Sequence, residues 1–177
     1  MFAPFLYLAV LIKMPGDDAF SGTAFASMGY HPGIMNHTTN SKPTIYVVDD
    51  DADDRELLTE AFQQVTDRHH LKAISNGKTL IDLLSGKTDA ELPCLIVLDY
   101  NMPELNGMDV LKYLQNSVRY RRIPKVIYTT SNSWVEQSEF MALGANEFLT
   151  KAVNFKGILD SVKTMLGHCD NEVRETA

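Results

Sequence analysis

From Pro43 onward the chain alternates short apolar runs with longer stretches in which apolar residues recur every three or four positions. Ile45–Val48, Cys94–Leu98, Lys125–Thr129 and Asn146–Thr150 read as strands, and His70–Ser75 as a weaker one. Asp53–Thr66 reads as a helix whose Leu57, Leu58, Ala61, Phe62 and Val65 form one stripe, with acidic residues in the first turn where the helix dipole favours them. Thr79–Leu84 is a short helix entered through Asn76-Gly77, and Gly107–Gln115 a helix with Met108, Leu111 and Leu114 inward. Ser133–Leu143 is a helix stopped by Gly144, a suitable residue just past a helix end, and Phe155, Ile158, Leu159, Val162 and Leu166 mark a closing helix. Five strands alternating with five helices predict an α/β fold, a doubly wound parallel sheet covered on both faces.

The 177 residues, 45% hydrophobic, suffice for one well-buried domain and not for two of ordinary size. Residues 1–42 differ from the rest. Gly, Pro, Ser, Thr and His are scattered through them without an apolar period, so they are expected to lie outside the fold, as a disordered extension or a stretch added by a misplaced start. Met35, followed by Asn36-His37-Thr38-Thr39-Asn40, would make an ordinary leader. Phe2–Ile12 is apolar but about half the length a bilayer span needs, and no basic residue precedes it; a short signal-like anchor is the less favoured alternative. The expected organisation is therefore an extension over 1–42, a domain over 43–167 and a polar tail over 168–177.

The formal charge of −7 falls beyond Lys42, because Asp17 and Asp18 cancel Lys13 and Lys42. It argues against a nucleic-acid partner, which would call for a basic face. Cys94 opens a predicted core strand while Cys169 falls in the polar tail, so the two are expected not to form a framework, and a reducing, cytoplasmic setting fits.

The candidate chemistry lies where strands stop. Asp99 directly follows Cys94–Leu98, and Ile45–Val48 runs into Asp49-Asp50-Asp51, so two strands deliver carboxylates to the rim where open α/β sheets place ligands. If these strands are neighbours, two unit charges about 4 Å apart at an effective dielectric of roughly 20 repel by roughly 4 kcal/mol. Protonation, a cationic side chain or a divalent metal has to neutralise them, and an oxygen-only cluster favours a hard ion such as Mg²⁺. Taken singly, each aspartate reads as well as a turn or cap residue, Lys151 as a solvated lysine and Thr129 as a β-branched strand residue. Asp51, Asp53 and Asp54 read as the cap and first turn of the helix and not as metal ligands.

Together these residues resemble the receiver domain of two-component response regulators, over Pro43 to about Leu166. The resemblance rests on Val48-Asp49-Asp50-Asp51 with Arg55 downstream, on Leu98-Asp99-Tyr100-Asn101-Met102-Pro103 with Gly107, on Thr129-Thr130-Ser131, and on Gly144-Ala145 leading to Phe148-Leu149-Thr150-Lys151. It implies a flavodoxin-like (βα)5 fold with strand order 2-1-3-4-5. It also implies that Asp99 accepts a phosphoryl group from a phosphohistidine on a sensor histidine kinase or histidine phosphotransfer protein. Asp50, Asp49 and Asp99, with the backbone carbonyl of Asn101, would hold Mg²⁺. Thr129 and Lys151 would bind phosphoryl oxygens, Thr129 and Phe148 would form the switch, and Asn101 and Ser131 would flank the path of the dephosphorylating water. On this reading the chain catalyses only its own phosphorylation and dephosphorylation. Phosphorylation would draw Thr129 toward the phosphoryl group and let Phe148 move inward.

The chain departs from the family at Ala152, where a proline usually follows the lysine through a cis bond. Before alanine a cis bond would cost roughly 3 kcal/mol, so a trans loop with Lys151 aimed differently is the expectation there. Little follows Leu166 except Gly167-His168-Cys169 and polar residues, so the signal is expected to leave through contact with a downstream protein or onward phosphotransfer. No membrane partner is expected, and self-association is left open. Stand-alone receivers, including those paired with phytochrome-like kinases, are similar. A phosphorylation-independent interaction module is the competing reading. A haloacid-dehalogenase-type phosphatase would need a second carboxylate that Asp99-Tyr100-Asn101 lacks, and a flavodoxin-like phosphate binder would be repelled by Asp49-Asp50-Asp51.

Overall fold

A computed structural model describes residues 42–175, and side chains as far as Cys169. The extension read over 1–42 lies, apart from Lys42, outside the described residues. The elements run β1 (Thr44–Val48), α1 (Ala52–Val65), β2 (His70–Ile74), α2 (Gly77–Ser85), a 3-10 turn (Asp89–Glu91), β3 (Leu95–Leu98), α3 (Gly107–Asn116), β4 (Lys125–Thr129), α4 (Trp134–Ala142), β5 (Glu147–Thr150) and α5 (Phe155–Glu175). All strand pairs are parallel, in the order β2-β1-β3-β4-β5.

The two-residue period of the strands sorts the core into two layers. Tyr46, Val48, Ile96, Leu98 and Ile127 face a layer closed by Leu80 and Leu84 of α2, Val110, Leu111 and Leu114 of α3, and Phe140 of α4. Ile45, Val47, Leu95, Val97, Val126 and Tyr128 face the other, closed by Leu58, Ala61 and Phe62 of α1 and Ile158, Val162 and Met165 of α5. The central strands are buried on both sides and therefore read as unbroken apolar runs. β2 is an edge strand with three of its five residues exposed, which is why its pattern is weak. Of the stripe expected on α1, Leu58, Ala61 and Phe62 are buried, whereas Leu57 is 39% exposed.

Local chemistry sets the helix starts. Side-chain oxygens of Asp51, Asn76, Asn106 and Ser133 accept amides at the N-termini of α1, α2, α3 and α4, and Asn154 accepts the Gly157 amide at the start of α5. The Asn76 cap starts α2 at Gly77, two residues before the expected Thr79. Gly144 ends α4 with φ of 87°, a conformation open to glycine without cost.

Two expectations fail at the far end of the chain. α5 does not stop near Leu166 in a polar tail but continues to Glu175, and Cys169 on it is fully buried. Cys169 is also bonded to Cys94, at a Cα–Cα distance of 5.2 Å across 75 residues of sequence. The helix runs back along the sheet to the end where β3 begins, a proximity that spacing in sequence does not encode. The signal available was the period itself, since Ile158, Val162, Met165 and Cys169 form one helical stripe. Among the described residues no helix is long and apolar enough to cross a membrane.

Gly107 is required by close approach. A Cβ on Gly107 would lie 2.5 Å from the Asp99 carbonyl oxygen and 2.9 Å from the Tyr100 Cα, both backbone atoms. Gly107→Ala should therefore lower stability by about 1–3 kcal/mol through overpacking and displace the loop after β3. A urea titration checks it, and an unchanged midpoint would show that the loop yields freely.

Candidate functional site

The register explains why the carboxylates meet. Val48 pairs with Leu98 across β1 and β3, so the next residues, Asp49 and Asp99, leave adjacent strands side by side. The Asp99 amide donates to the Val48 carbonyl at 2.8 Å and extends the pairing by one step. Both residues are buried, Asp99 at 4% and Asp49 at 6% exposure, while Asp50 is exposed. One oxygen from each of Asp49, Asp50 and Asp99 lies within 4.8 Å of the others. Three carboxylates and no softer donor make a set suited to a hard divalent cation.

Lys151, just past β5, enters this cluster. Its Nζ donates to Asp49 Oδ2 at 2.8 Å and to Asp54 Oδ2 at 2.7 Å, and lies 3.3 Å from Asp99 Oδ1. The backbone aims it: the Lys151 amide donates to the Thr129 carbonyl at 2.7 Å, and Thr129 pairs with Thr150 in the sheet. No peptide bond among the described residues is cis, so the Lys151-Ala152 bond is trans. The altered aim expected from it does not follow, because the ammonium still faces the Asp99 carboxylate.

The remaining oxygens are held by backbone. Asp99 Oδ2 accepts the Asn101 amide at 2.8 Å, and Asp49 Oδ1 accepts the Asp51 amide at 2.9 Å. Thr129, fully buried at the end of β4, accepts from Asn101 Nδ2 and from the Ser131 amide, each at 3.4 Å. It keeps its own O–H as a donor. Ser131 Oγ pairs with Glu136 in the first turn of α4. Phe148 is only 8% exposed, its ring 5.8 Å from Phe140, which in turn meets Tyr100 edge-on at 5.1 Å. The expected inward movement of Phe148 thus finds the ring already inside, as befits an apolar side chain with no hydroxyl to hold it at the surface.

Asp54 was missed as a site residue. As a first-turn acid of α1 it is explained equally well by the helix dipole, and only the hydrogen bond from Lys151, 97 positions away, reveals its partner. Arg55 likewise reaches the site, donating from Nη1 to the Asp49 carbonyl at 2.7 Å.

Burial raises the pKa of Asp49 and of Asp99 above the ordinary aspartate value, against the opposing pull of Lys151 and the backbone amides. Burial would depress Lys151, but the hydrogen bonds to Asp49 and Asp54 and the charges of Asp49 and Asp99 lift it above the usual lysine range. A carboxyl with a raised folded pKa holds its proton more tightly in the folded chain. Asp49 and Asp99 therefore cost stability as pH climbs from the ordinary carboxylate range through the raised values. Asp99→Asn removes one such charge and should stabilise the metal-free protein at neutral pH by on the order of 1 kcal/mol. Urea titration at pH 7 measures this, and a lower midpoint than that of the parent would mean that the ion pair with Lys151 outweighs the burial.

Comparison with known proteins identifies the family. A family model described as the response regulator receiver domain matches residues 45–163. Response regulator Rcp1 of Synechocystis sp. is 30% identical over 132 residues, which make up 73% of this chain and 90% of Rcp1. The crystal structure of the Mn(2+)-bound form of Rcp1 superposes with a TM-score of 0.62 at 30% identity, over 69% of this chain and 90% of that one. The phosphorylated cyanobacterial phytochrome response regulator RcpA superposes with a TM-score of 0.64 at 28% identity, over 70% of this chain and 91% of that one.

Proposed function

The chain belongs to the response regulator receiver domains of two-component systems, and on that premise we propose that Asp99 takes a phosphoryl group from a phosphohistidine on a sensor kinase or phosphotransfer protein. The observation that carries this reading is the meeting of Asp99, Asp49, Asp50, Lys151 and Thr129 at the ends of β1, β3, β4 and β5. With the Asn101 amide on Oδ2, Asp99 Oδ1 is the oxygen left to attack phosphorus. A phosphorus–oxygen bond forms as the phosphorus–nitrogen bond breaks, and the imidazole leaves with the donor. Lys151, already 3.3 Å from that oxygen, follows the transferred group while loosening its hold on Asp49 and Asp54. The Thr129 hydroxyl donates to a second phosphoryl oxygen.

Asp49, Asp50 and Asp99, with the carbonyl of Asn101, are the groups that would hold Mg²⁺. Bound there, it would balance the charge spread over the equatorial phosphoryl oxygens. Ser131 and Asn101 border the phosphoryl position and are placed to tune its hydrolysis. Because Phe148 is buried beforehand, movement of Thr129 toward the phosphoryl group would stabilise the buried rotamer rather than create it. Trp134 at 76% exposure, Val135 at 45% and Met141 at 42% leave apolar surface on α4 for a downstream protein.

Incubation with a small-molecule phosphodonor and Mg²⁺, followed by intact mass, tests the proposal. A single phosphoryl adduct is expected, absent from Asp99→Asn and strongly reduced in Asp50→Asn. An unphosphorylated parent chain under every donor would sink the reading and leave an interaction module in its place.

A further inference from the structure

A second group of metal-ligating side chains lies at the opposite end of the sheet. One donor atom from each of His69, Cys94 and Cys169 falls within 4.8 Å of the other two. His69 sits in the turn between α1 and β2, Cys94 just before β3, and Cys169 near the end of α5. Three segments distant in sequence therefore bring two sulfurs and an imidazole to one point. In this structure the sulfurs are joined as a disulfide.

We propose that this trio is a redox-gated site for a thiophilic ion such as Zn²⁺, closed by the disulfide and opened by its reduction. Ligands of a tetrahedral ion at about 2.0–2.3 Å stand roughly 3.3–3.8 Å apart, so donors already within 4.8 Å need little movement to share one. Two thiolates and an imidazole are the ligand chemistry that selects such ions, whereas the carboxylate cluster around Asp99 has none of it. The Thr66 hydroxyl, 3.3 Å from His69 Nδ1, is the kind of oxygen partner that fixes the orientation of a metal-bound imidazole. A reductant has an approach from the Cys94 side, Cys169 being fully buried. Cys94 is half-buried, and both cysteines line a groove of about 730 Å³ with Leu92, Pro93, Arg119 and Arg122.

The chemistry balances with a dithiol as reductant. One thiolate of the dithiol attacks Cys94 Sγ and expels Cys169 as thiolate. The second dithiol sulfur then displaces Cys94, so two electrons pass to the protein and the dithiol leaves as its own disulfide. The cysteines hold two protons as thiols and release them when the ion binds.

Co²⁺ serves as the probe, because thiolate ligation gives it a near-ultraviolet charge-transfer band that oxygen ligands do not. The full chain, reduced and freed of reductant under anaerobic conditions, is titrated with Co²⁺ and then with Zn²⁺. One thiolate-ligated Co²⁺ per chain is expected, counted from the saturation of the band because the carboxylate cluster around Asp99 also takes divalent ions without giving it, and it should be displaced by Zn²⁺. The affinity should fall at least about tenfold in His69→Ala, and the band should vanish in Cys169→Ser. Reoxidation of the same sample should release the ion and erase the band, a control that does not depend on any variant folding. A reduced chain without the band, a band unaffected by reoxidation, or an affinity unchanged in His69→Ala would each overturn the proposal. The first of these would leave the disulfide as a structural staple only. None of these readouts involves Asp99, so the outcome is independent of the phosphoacceptor reading.

Discussion

Lys151→Ala is expected to slow phosphorylation of Asp99 by about 100-fold or more, the usual consequence of removing one preorganised charge from the oxygens of a transition state. The same substitution should destabilise the metal-free protein by about 3 kcal/mol or more, because it strips the counter-charge from carboxylates that are largely buried. Asp49 and Asp99 are 8% and 4% exposed at their side chains, and Lys151 is the cation within 4 Å of both among the described residues. Two measurements separate these effects. Phosphodonor kinetics followed by intact mass reads the first, and urea titration with and without Mg²⁺ reads the second. Mg²⁺ should restore much of the lost stability, since it neutralises the same oxygens and stabilises by mass action. A variant that phosphorylates at the parent rate would show that Lys151 is a structural counter-ion and nothing more.

Phe140→Ala should cost about 3–5 kcal/mol, the range for emptying a buried aromatic site. Phe140 is fully buried and stands between Tyr100, in the loop after Asp99, and Phe148 on β5, with ring centroids at 5.1 and 5.8 Å. The cavity would face Phe148 directly, so that ring should lose its fixed rotamer as well. Thermal or urea denaturation measures the first effect and aromatic side-chain relaxation by nuclear magnetic resonance the second. A loss well below 2 kcal/mol with Phe148 still fixed would mean that the layer collapses into the gap, and would remove Phe140 as the link between the phosphoacceptor loop and β5.

The elements and the phosphoacceptor edge were readable from the chain because both depend on local order. Unbroken apolar runs such as Tyr46-Val47-Val48 and capping residues such as Asn76 and Ser133 act within a few positions of themselves. Asp49 and Asp99 could be placed at strand ends for the same reason. Their adjacency could not, since it follows from the pairing of Val48 with Leu98, fifty residues away.

Three matters were decided only when the chain closed on itself. Asp54 became a partner of Lys151 because the fold brings the first turn of α1 within reach of the residue that follows β5, and a first-turn acid carries no mark of such a neighbour. Lys151 kept its aim without the proline that usually follows it, because the hydrogen bond from its amide to Thr129 positions it from the sheet side. Cys94 and Cys169, apparently unrelated in sequence, met because a long antiparallel return along α5 carries Cys169 to the base of β3. Periodicity specifies which face of an element is buried. Which residues meet across the core is set by register and helix packing, and these bring together groups separated by up to 102 positions.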